Sequence, residues 1–321
     1  MTGSSTSYVN FSVRQNKAIE RDRAFRALRA LTSTNDDLDY VYVGLGSVWF
    51  VDFEIAHREL GIETMISIES DPVVFTRATY NKPYRTVEVI EGTSNEVLPT
   101  LLDDRPDLAE RPWIVWLDYD KALDTVKVDE LRYLIRRLPA DSVLLVTFNA
   151  APNRYAGPVD ERREAFLELF GDAFPVEPFT TTGKYKDHAL VMSALADGLN
   201  TLLHSHAGEA ARPGGFVRAF DLRYQDGTPM VTAGGCLPSP ERAAATSALV
   251  AAPGWQGLCP TPITTPPLTV RELQALRALM PCEPPPSRTS VQALGFDLEE
   301  DQIAAFAAHY ASFPTFVQTA R

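Results

Sequence analysis

The sequence predicts an α/β fold: a doubly wound, mostly parallel sheet closed by an antiparallel hairpin, with an N-terminal helix before it and a C-terminal helical appendage after it. Three observations predict this. Strand-like and helix-like segments alternate from Tyr40 to Asn149, the order that builds parallel sheets from βαβ units. The stretch Tyr40 to Asp71 reads as one such unit: strand, glycine turn, helix, strand. Farther on, Gln225-Asp226-Gly227-Thr228 separates two apolar runs, and Asp-Gly is favoured in tight turns between strands.

Composition narrows the class. The 321 residues permit one large or two modest domains, and 45% hydrophobic residues allow a core. No apolar stretch approaches the ~20 residues of a membrane helix, and Met1 to Asn10 lacks the basic and apolar regions of a signal peptide. A cytoplasmic protein with no membrane partner is expected. Cys236, Cys259 and Cys282 are odd in number and outside any CxxC spacing, so neither a disulfide framework nor a zinc site is read from them. The formal charge of −12 disfavours a nucleic-acid partner, although a local basic patch can override the average.

Taken in order, residues 1–9 are small and polar and are expected to be loose. Gln15 to Leu31 is a helix whose stripe carries Arg14, Lys17 and Arg21 and then Phe25 and Leu28. If the apolar pair anchors it, the three cations lie along the domain and are candidates to cover a cofactor or meet an anionic substrate. The rival reading is a solvated basic face with Arg21 paired to Glu20 or Asp22. Tyr40 to Val43 is the first strand, and Gly44-Leu45-Gly46-Ser47 reverses the chain without a Cβ penalty. Phe50, Phe53, Ala56, His57 and Leu60 form a helix stripe, Gly61 its C-cap, and Met65 to Ile68 a second strand ending in Glu69.

Asp71-Pro72 opens another helix, Asn81 to Tyr84 breaks it, and Thr86 to Ile90 is a third strand followed by a turn over Gly92-Thr93-Ser94-Asn95-Glu96. Asp103 to Arg111 reads as a charged loop. Trp113 to Leu117 is a buried strand ending in Asp118-Tyr119-Asp120-Lys121. Asp129 to Leu138 is a helix, and Ser142 to Phe148 a fifth strand ending at Asn149. Ala151 to Pro158 is a break suited to an insertion over the site, and Glu161 to Phe170 is helical. His188 follows Lys184-Tyr185-Lys186-Asp187 near such a covering loop and is a further candidate. Phe216 to Leu222 and Met230 to Ala233 form the hairpin, and proline-rich residues 253–267 read as an extended linker. Capping boxes at Thr269 with Glu272 and at Asp297 with Glu300 start tail helices. The expected units are 1–35, 36–238 and 239–321.

Ligands of open parallel sheets bind outside the carboxyl ends of the strands. Two glycines after the first strand allow close backbone approach to a nucleotide, and an acid ending the second, Glu69, can accept from both ribose hydroxyls. The dinucleotide fingerprint wants a third glycine where this chain has Trp49, which argues against NAD and for a cofactor without phosphates. On these residues the chain resembles a class I methyltransferase dependent on S-adenosylmethionine (SAM). More narrowly, VNFSVRQNKAIERD, GLGS, SIE and WLDYD are similar to a bacterial O-methyltransferase group. The resemblance implies that Gly44, Gly46, Ser47, Glu69, Gly92, Thr93, Ser94 and Asp118 hold SAM, and that 36–238 is the SAM-binding domain. Many relatives carry an aspartate for the adenine amino group where this chain has Thr93; Ser94 resembles a serine that some use instead.

Methyl transfer is an in-line displacement in which the enzyme positions donor and acceptor and, for a hydroxyl, removes a proton. The catalytic candidates are Asp118, Tyr119, Asp120 and Lys121. In metal-assisted catechol-type relatives the corresponding aspartate holds Mg²⁺, the lysine is a base and an amide like Asn149 is a ligand. Phe148 stands where that pattern has an acid, leaving a Mg²⁺ site one ligand short unless Asp120 supplies it. A plain strand end with a helix cap is the structural rival. The expected activity is SAM-dependent methyl transfer to a hydroxyl or amine of a small molecule or modified nucleoside. Alternatives are an RNA-base methyltransferase and a non-catalytic SAM-binding partner or sensor. The sequence leaves the oligomeric state open.

Overall fold

The computed structural model describes residues 14–35, 37–45 and 47–315. The segment expected to be loose at residues 1–9, and Gly46 of the first turn, lie outside the described residues. One eight-stranded sheet runs in the order β3 (Val87–Glu91), β2 (Thr64–Glu69), β1 (Val41–Leu45), β4 (Trp113–Asp118), β5 (Ser142–Asn149), β7 (Pro229–Leu237), β6 (Val217–Gln225), β8 (Leu258–Ile263). Helix α1 (Gln15–Ser33) precedes β1 (Val41–Leu45), α2 (Val51–Leu60), β2 (Thr64–Glu69), α3 (Pro72–Asn81) and β3 (Val87–Glu91). Next come α4 (Ser94–Asp104), α5 (Pro106–Ala109), β4 (Trp113–Asp118), α6 (Thr125–Arg137) and β5 (Ser142–Asn149). These five strands are mutually parallel.

Alternation along the strands buries both faces, as helices on the two sides of a parallel sheet require. Val41, Val43, Trp113, Val115 and Leu117 enter the core layer that includes α4, α6 and later helices. Tyr42, Ile114 and Trp116 enter the opposite layer with Phe25, Leu28, Phe50 and Phe53 from α1 and α2. The helices start where local chemistry dictates: Asp71 caps α3 by accepting from the amides of Val73 and Val74, and Gly61 ends α2 in the left-handed conformation at φ 70°.

The charged stretch 103–111 is mostly helical, because α4 runs to Asp104 and α5 follows at Pro106. Helix α6 begins at Thr125, capped by Asp124, rather than at Asp129. Beyond β5, α7 (Arg162–Phe170) leads to α8 (His188–Glu209), and the hairpin β6 (Val217–Gln225) and β7 (Pro229–Leu237) closes the parallel sheet antiparallel to β5. The break at 151–158 packs at the end of β5, where the Tyr155 hydroxyl donates to the Asn149 carbonyl at 3.1 Å. The Arg162 guanidinium gathers the carbonyls of Ala156, Gly157 and Tyr185 at 2.9–3.2 Å, which folds the insertion back toward α7.

Helix α9 (Pro240–Ala251) precedes a correction to the expected linker: Leu258–Ile263 is β8, paired in parallel with β6. The sheet therefore crosses the expected boundary at 238/239. Helices α10 (Val270–Arg277), α11 (Arg288–Gln292) and α12 (Glu300–His309) complete the tail. The capping box at Thr269 and Glu272 is present, whereas the last one uses Glu299 and Gln302, because α12 starts at Glu300; Asp297 is bound to Arg288. The tail packs through Leu273, Leu276, Ile303 and Phe306 onto Ile19 of α1 and Tyr224 of β6.

Candidate functional site

A cleft of about 500 Å³ opens at the carboxyl ends of β1 to β4, where open α/β sheets bind ligands. Its walls include Gly44, Ser47, Glu69, Gly92, Thr93, Ser94, Asp118, Tyr119, Asp120 and Lys121, joined by Lys17 and Arg21 from α1. One wall is made of strand ends. A Cβ on Gly44 would meet the Phe53 ring at 3.3 Å, so the turn stays bare and close. Gly92 has φ 147°, and a Cβ there would lie 2.8 Å from Val97; only glycine suits both demands. Phe50 holds a left-handed φ of 48° at the N-terminus of α2 and also lines the cleft, a placement that stores strain at the site.

Glu69 is 6% exposed and accepts from the Asp71 amide at 3.1 Å. Burial raises its pKa, the Asp71 and Asp120 carboxylates add to the rise, and the Asp71 and Ser70 amides oppose it. Thr93 caps α4 and its hydroxyl donates to Glu96 at 2.6 Å. Ser94 is buried beside Glu130 of α6, and the Tyr119 hydroxyl donates to Glu130 Oε2 at 2.8 Å. Burial and the neighbouring Glu130 hold the Tyr119 phenol well above its ordinary pKa, so it stays protonated.

The opposite wall is an ion cluster on α1. Lys17, 2% exposed, places its ammonium 2.8 Å from Asp118 Oδ2 and 3.3 Å from Glu20 Oε2. The same nitrogen lies 5.1 Å from the Trp116 ring centroid and 5.3 Å from that of Tyr224, within cation–π range. Burial opposes its charge, but Asp118 and Glu20 outweigh that and raise the Lys17 pKa. Behind it the hydrogen bonds run one way: Trp116 Nε1 to Thr147 at 2.9 Å, Thr147 to Thr232 at 2.7 Å, and Thr232 to Glu20 Oε1 at 2.6 Å. Arg21 is paired to Asp52 of α2, not to Glu20 or Asp22; Asp22 pairs instead with Arg26.

Helix α1 is set at this height by the distant hairpin. The Asp226 carboxylate accepts from the amides of Asn16 at 3.2 Å and Lys17 at 2.8 Å, acting as a cap supplied by the β6–β7 turn. Arg14 leaves the cleft and donates to the Asp226 carbonyl at 3.3 Å.

Two further candidates are not brought to the cleft. Asn149 is buried, and its side-chain oxygen accepts from the Ala151 amide at 2.9 Å. His188 is the exposed first residue of α8 and is not among the lining residues. A Mg²⁺ ligand set of Asp118, Asp120 and Asn149 does not fit this arrangement, because Asp118 is bound to Lys17 and Asn149 to backbone. Among the described residues no cluster of three or more His, Cys, Asp or Glu is disposed to hold a metal, and no helix is long and apolar enough to cross a membrane.

Lining residues that sequence reasoning passed over include Asp52, Trp116, Glu130, Tyr224 and Met230. Glu130 had a signal: with α6 capped at Asp124, it falls in the second turn on the buried side. Tyr224 and Met230 had none, since only tertiary pairing sets them opposite Lys17.

Comparison with protein families gives a match over residues 9–321 to the family described as "Putative O-methyltransferase". No curated protein matches. Among solved structures, Trm1 from Pyrococcus horikoshii in complex with S-adenosyl-L-methionine is 12% identical at TM-score 0.41, over 71% of this chain and 57% of that one. A spermidine synthase homologue from Corynebacterium glutamicum is 13% identical at TM-score 0.35, over 48% and 55%. An arsenic(III) S-adenosylmethionine methyltransferase from Chlamydomonas reinhardtii is 12% identical at TM-score 0.38, over 63% and 64%. The chain thus spans little more than half of the first two, and likeness this remote assigns no activity.

Proposed function

Since the chain belongs to this O-methyltransferase family, we propose that it transfers the methyl group of SAM to a hydroxyl or amine of a small molecule or modified nucleoside. One observation carries the reading: Gly44 and Ser47 of the first turn, the Glu69 strand end, the Gly92–Ser94 turn and Asp118 all line a single cleft. Glu69 fits the ribose end, because it is a buried carboxylate held by amides, free to take hydroxyl donors. Gly44 and Ser47 flank the space for the amino-acid portion, and Gly92, Thr93 and Ser94 the adenine. When bound, SAM supplies an electrophilic methyl on a positively charged sulfur.

The chain's own residues then orient the acceptor. Trp116, Tyr224 and Met230 offer a flat apolar bed beside the Lys17 ammonium. Lys17 remains charged and is therefore a hydrogen-bond donor, not a base. Asp118, 28% exposed, and the exposed Asp120 and Lys121 stand where an acceptor proton would be received. Tyr119, its hydroxyl committed to Glu130, has a positioning role at the adenine end. The cleft volume suits a cofactor with a small acceptor. Pairing of Lys17 and Arg21 inside the protein weighs against the RNA reading, which needs cations facing phosphate.

The test is incubation with methyl-labelled SAM and a panel of phenols, carboxylic acids, amines and nucleosides, scoring S-adenosylhomocysteine release. Transfer to one class, abolished in Glu69→Ala, is expected. Bound SAM that no acceptor ever converts would favour the sensor reading instead.

A further inference from the structure

The adenine end of the cleft lacks an acid on the turn after β3. Thr93 stands there, its side chain is exposed, and its hydroxyl is spent on Glu96 in the capping box. An exocyclic amine buried in that corner still needs an acceptor, since an unmade hydrogen bond in a dry site costs affinity.

We infer that Glu130 of α6 supplies it: the carboxylate reads the adenine amino group from α6 rather than from the turn. This rests on the SAM reading above. Glu130 lines the cleft and is 7% exposed. Its Oε2 accepts from the Tyr119 hydroxyl at 2.8 Å, whereas Oε1 is buried without a hydrogen-bond partner among the described residues. The nearby cation is already occupied, because Lys127 Nζ is bound to Asp124 and lies 5.5 Å from the Tyr119 ring centroid. A buried carboxylate oxygen with no partner calls for an explanation, and a donor on the ligand is the one that the adjoining cleft offers. Ser94 and Tyr119 stand beside the carboxyl, and the Tyr119 hydroxyl takes Oε2, which leaves Oε1 for an N–H of the purine. Burial raises the Glu130 pKa, against the opposing hydroxyls of Ser94 and Tyr119, and a donor from the ligand would lower it again.

The chemistry predicts a base preference. A carboxylate acceptor welcomes the amino group of adenine and meets the carbonyl oxygen of hypoxanthine as a second acceptor. The full chain is titrated calorimetrically with S-adenosylhomocysteine and with its deaminated analogue S-inosylhomocysteine. Wild type is expected to bind the adenosyl compound tighter by about ten- to a hundredfold, the range for a hydrogen bond to a charged group. Glu130→Gln, whose amide can present either a donor or an acceptor, is expected to bring the two affinities close to equality while the thermal melt stays native-like. Should that variant fail to fold, Glu130→Asp withdraws the carboxylate by one methylene and is expected to lose most of the preference. Equal affinities in wild type, or a preference that survives in the folded variant, would overturn the assignment. Binding of S-adenosylhomocysteine without preference sinks Glu130 alone; binding of neither compound sinks the SAM reading with it.

Discussion

The two walls of the cleft are built by different rules. The strand-end wall draws each contact from a few consecutive residues: Glu69 with Asp71, Gly92 to Ser94, Asp118 to Lys121. The wall across from it joins α1 to the β6–β7 hairpin, with Lys17 and its capping partner Asp226 separated by 209 positions. The first wall is backbone shape with an acid at the right strand end. The second is a buried charge cluster that exists only because distant segments meet. On the proposed reading, donor recognition is written in short motifs, while the acceptor surface depends on segments far apart in the chain.

That contrast can be broken most forcefully at Lys17. Lys17→Met leaves the buried Glu20 and the nearby Asp118 without their shared cation. Breaking a buried ion cluster by removing one partner costs about 3–5 kcal/mol. A urea melt should show a loss of that size, partly recovered in Lys17→Met with Glu20→Gln; an unchanged midpoint would mean that the cluster is not holding the wall.

Glu69 is expected to behave in the opposite way. Glu69→Ala should weaken SAM binding by about ten- to a hundredfold through lost ribose hydrogen bonds, with little change in the melt. The same loss should be reached by acidification. The hydroxyls need the carboxylate form, and burial has raised the Glu69 pKa. Affinity should therefore be complete above that raised value and decline as pH falls through it, starting above the ordinary carboxylate range. An affinity flat in pH down to that range would place the ribose elsewhere.

The smallest expected effect is at the link between the two regions. Asp226→Ala removes the cap on α1 and should cost about 1 kcal/mol, the usual value for a lost helix cap. If SAM affinity falls as much as acceptor affinity in that variant, the two walls are not separable.

Legibility followed the same line. The βαβ unit, the hairpin at Asp226-Gly227 and the acid at Glu69 could be read because strand period, turn residues and strand-end polarity are local signals. The stripe Arg14, Lys17, Arg21 offers an inward and a solvated reading; Lys17 and Arg21 follow the inward one, lining the cleft but paired with Asp118 and Asp52, and Arg14 serves the hairpin turn. Residues 258–263 looked like linker because proline interrupts them, and pairing with the edge of β6 overrides that composition. Glu130 was hidden by a helix start placed five residues past its cap at Asp124. Asn149 and His188 were placed by resemblance and by a supposed covering loop, and neither lines the cleft.

The most direct test is calorimetric titration of the purified protein with SAM, S-adenosylhomocysteine and NAD in parallel, with and without Mg²⁺. Saturable binding of both adenosyl compounds at one site, unaltered by Mg²⁺ and absent for NAD, is the expected result. Binding of NAD, or of none of the three, would contradict the assignment of the cleft.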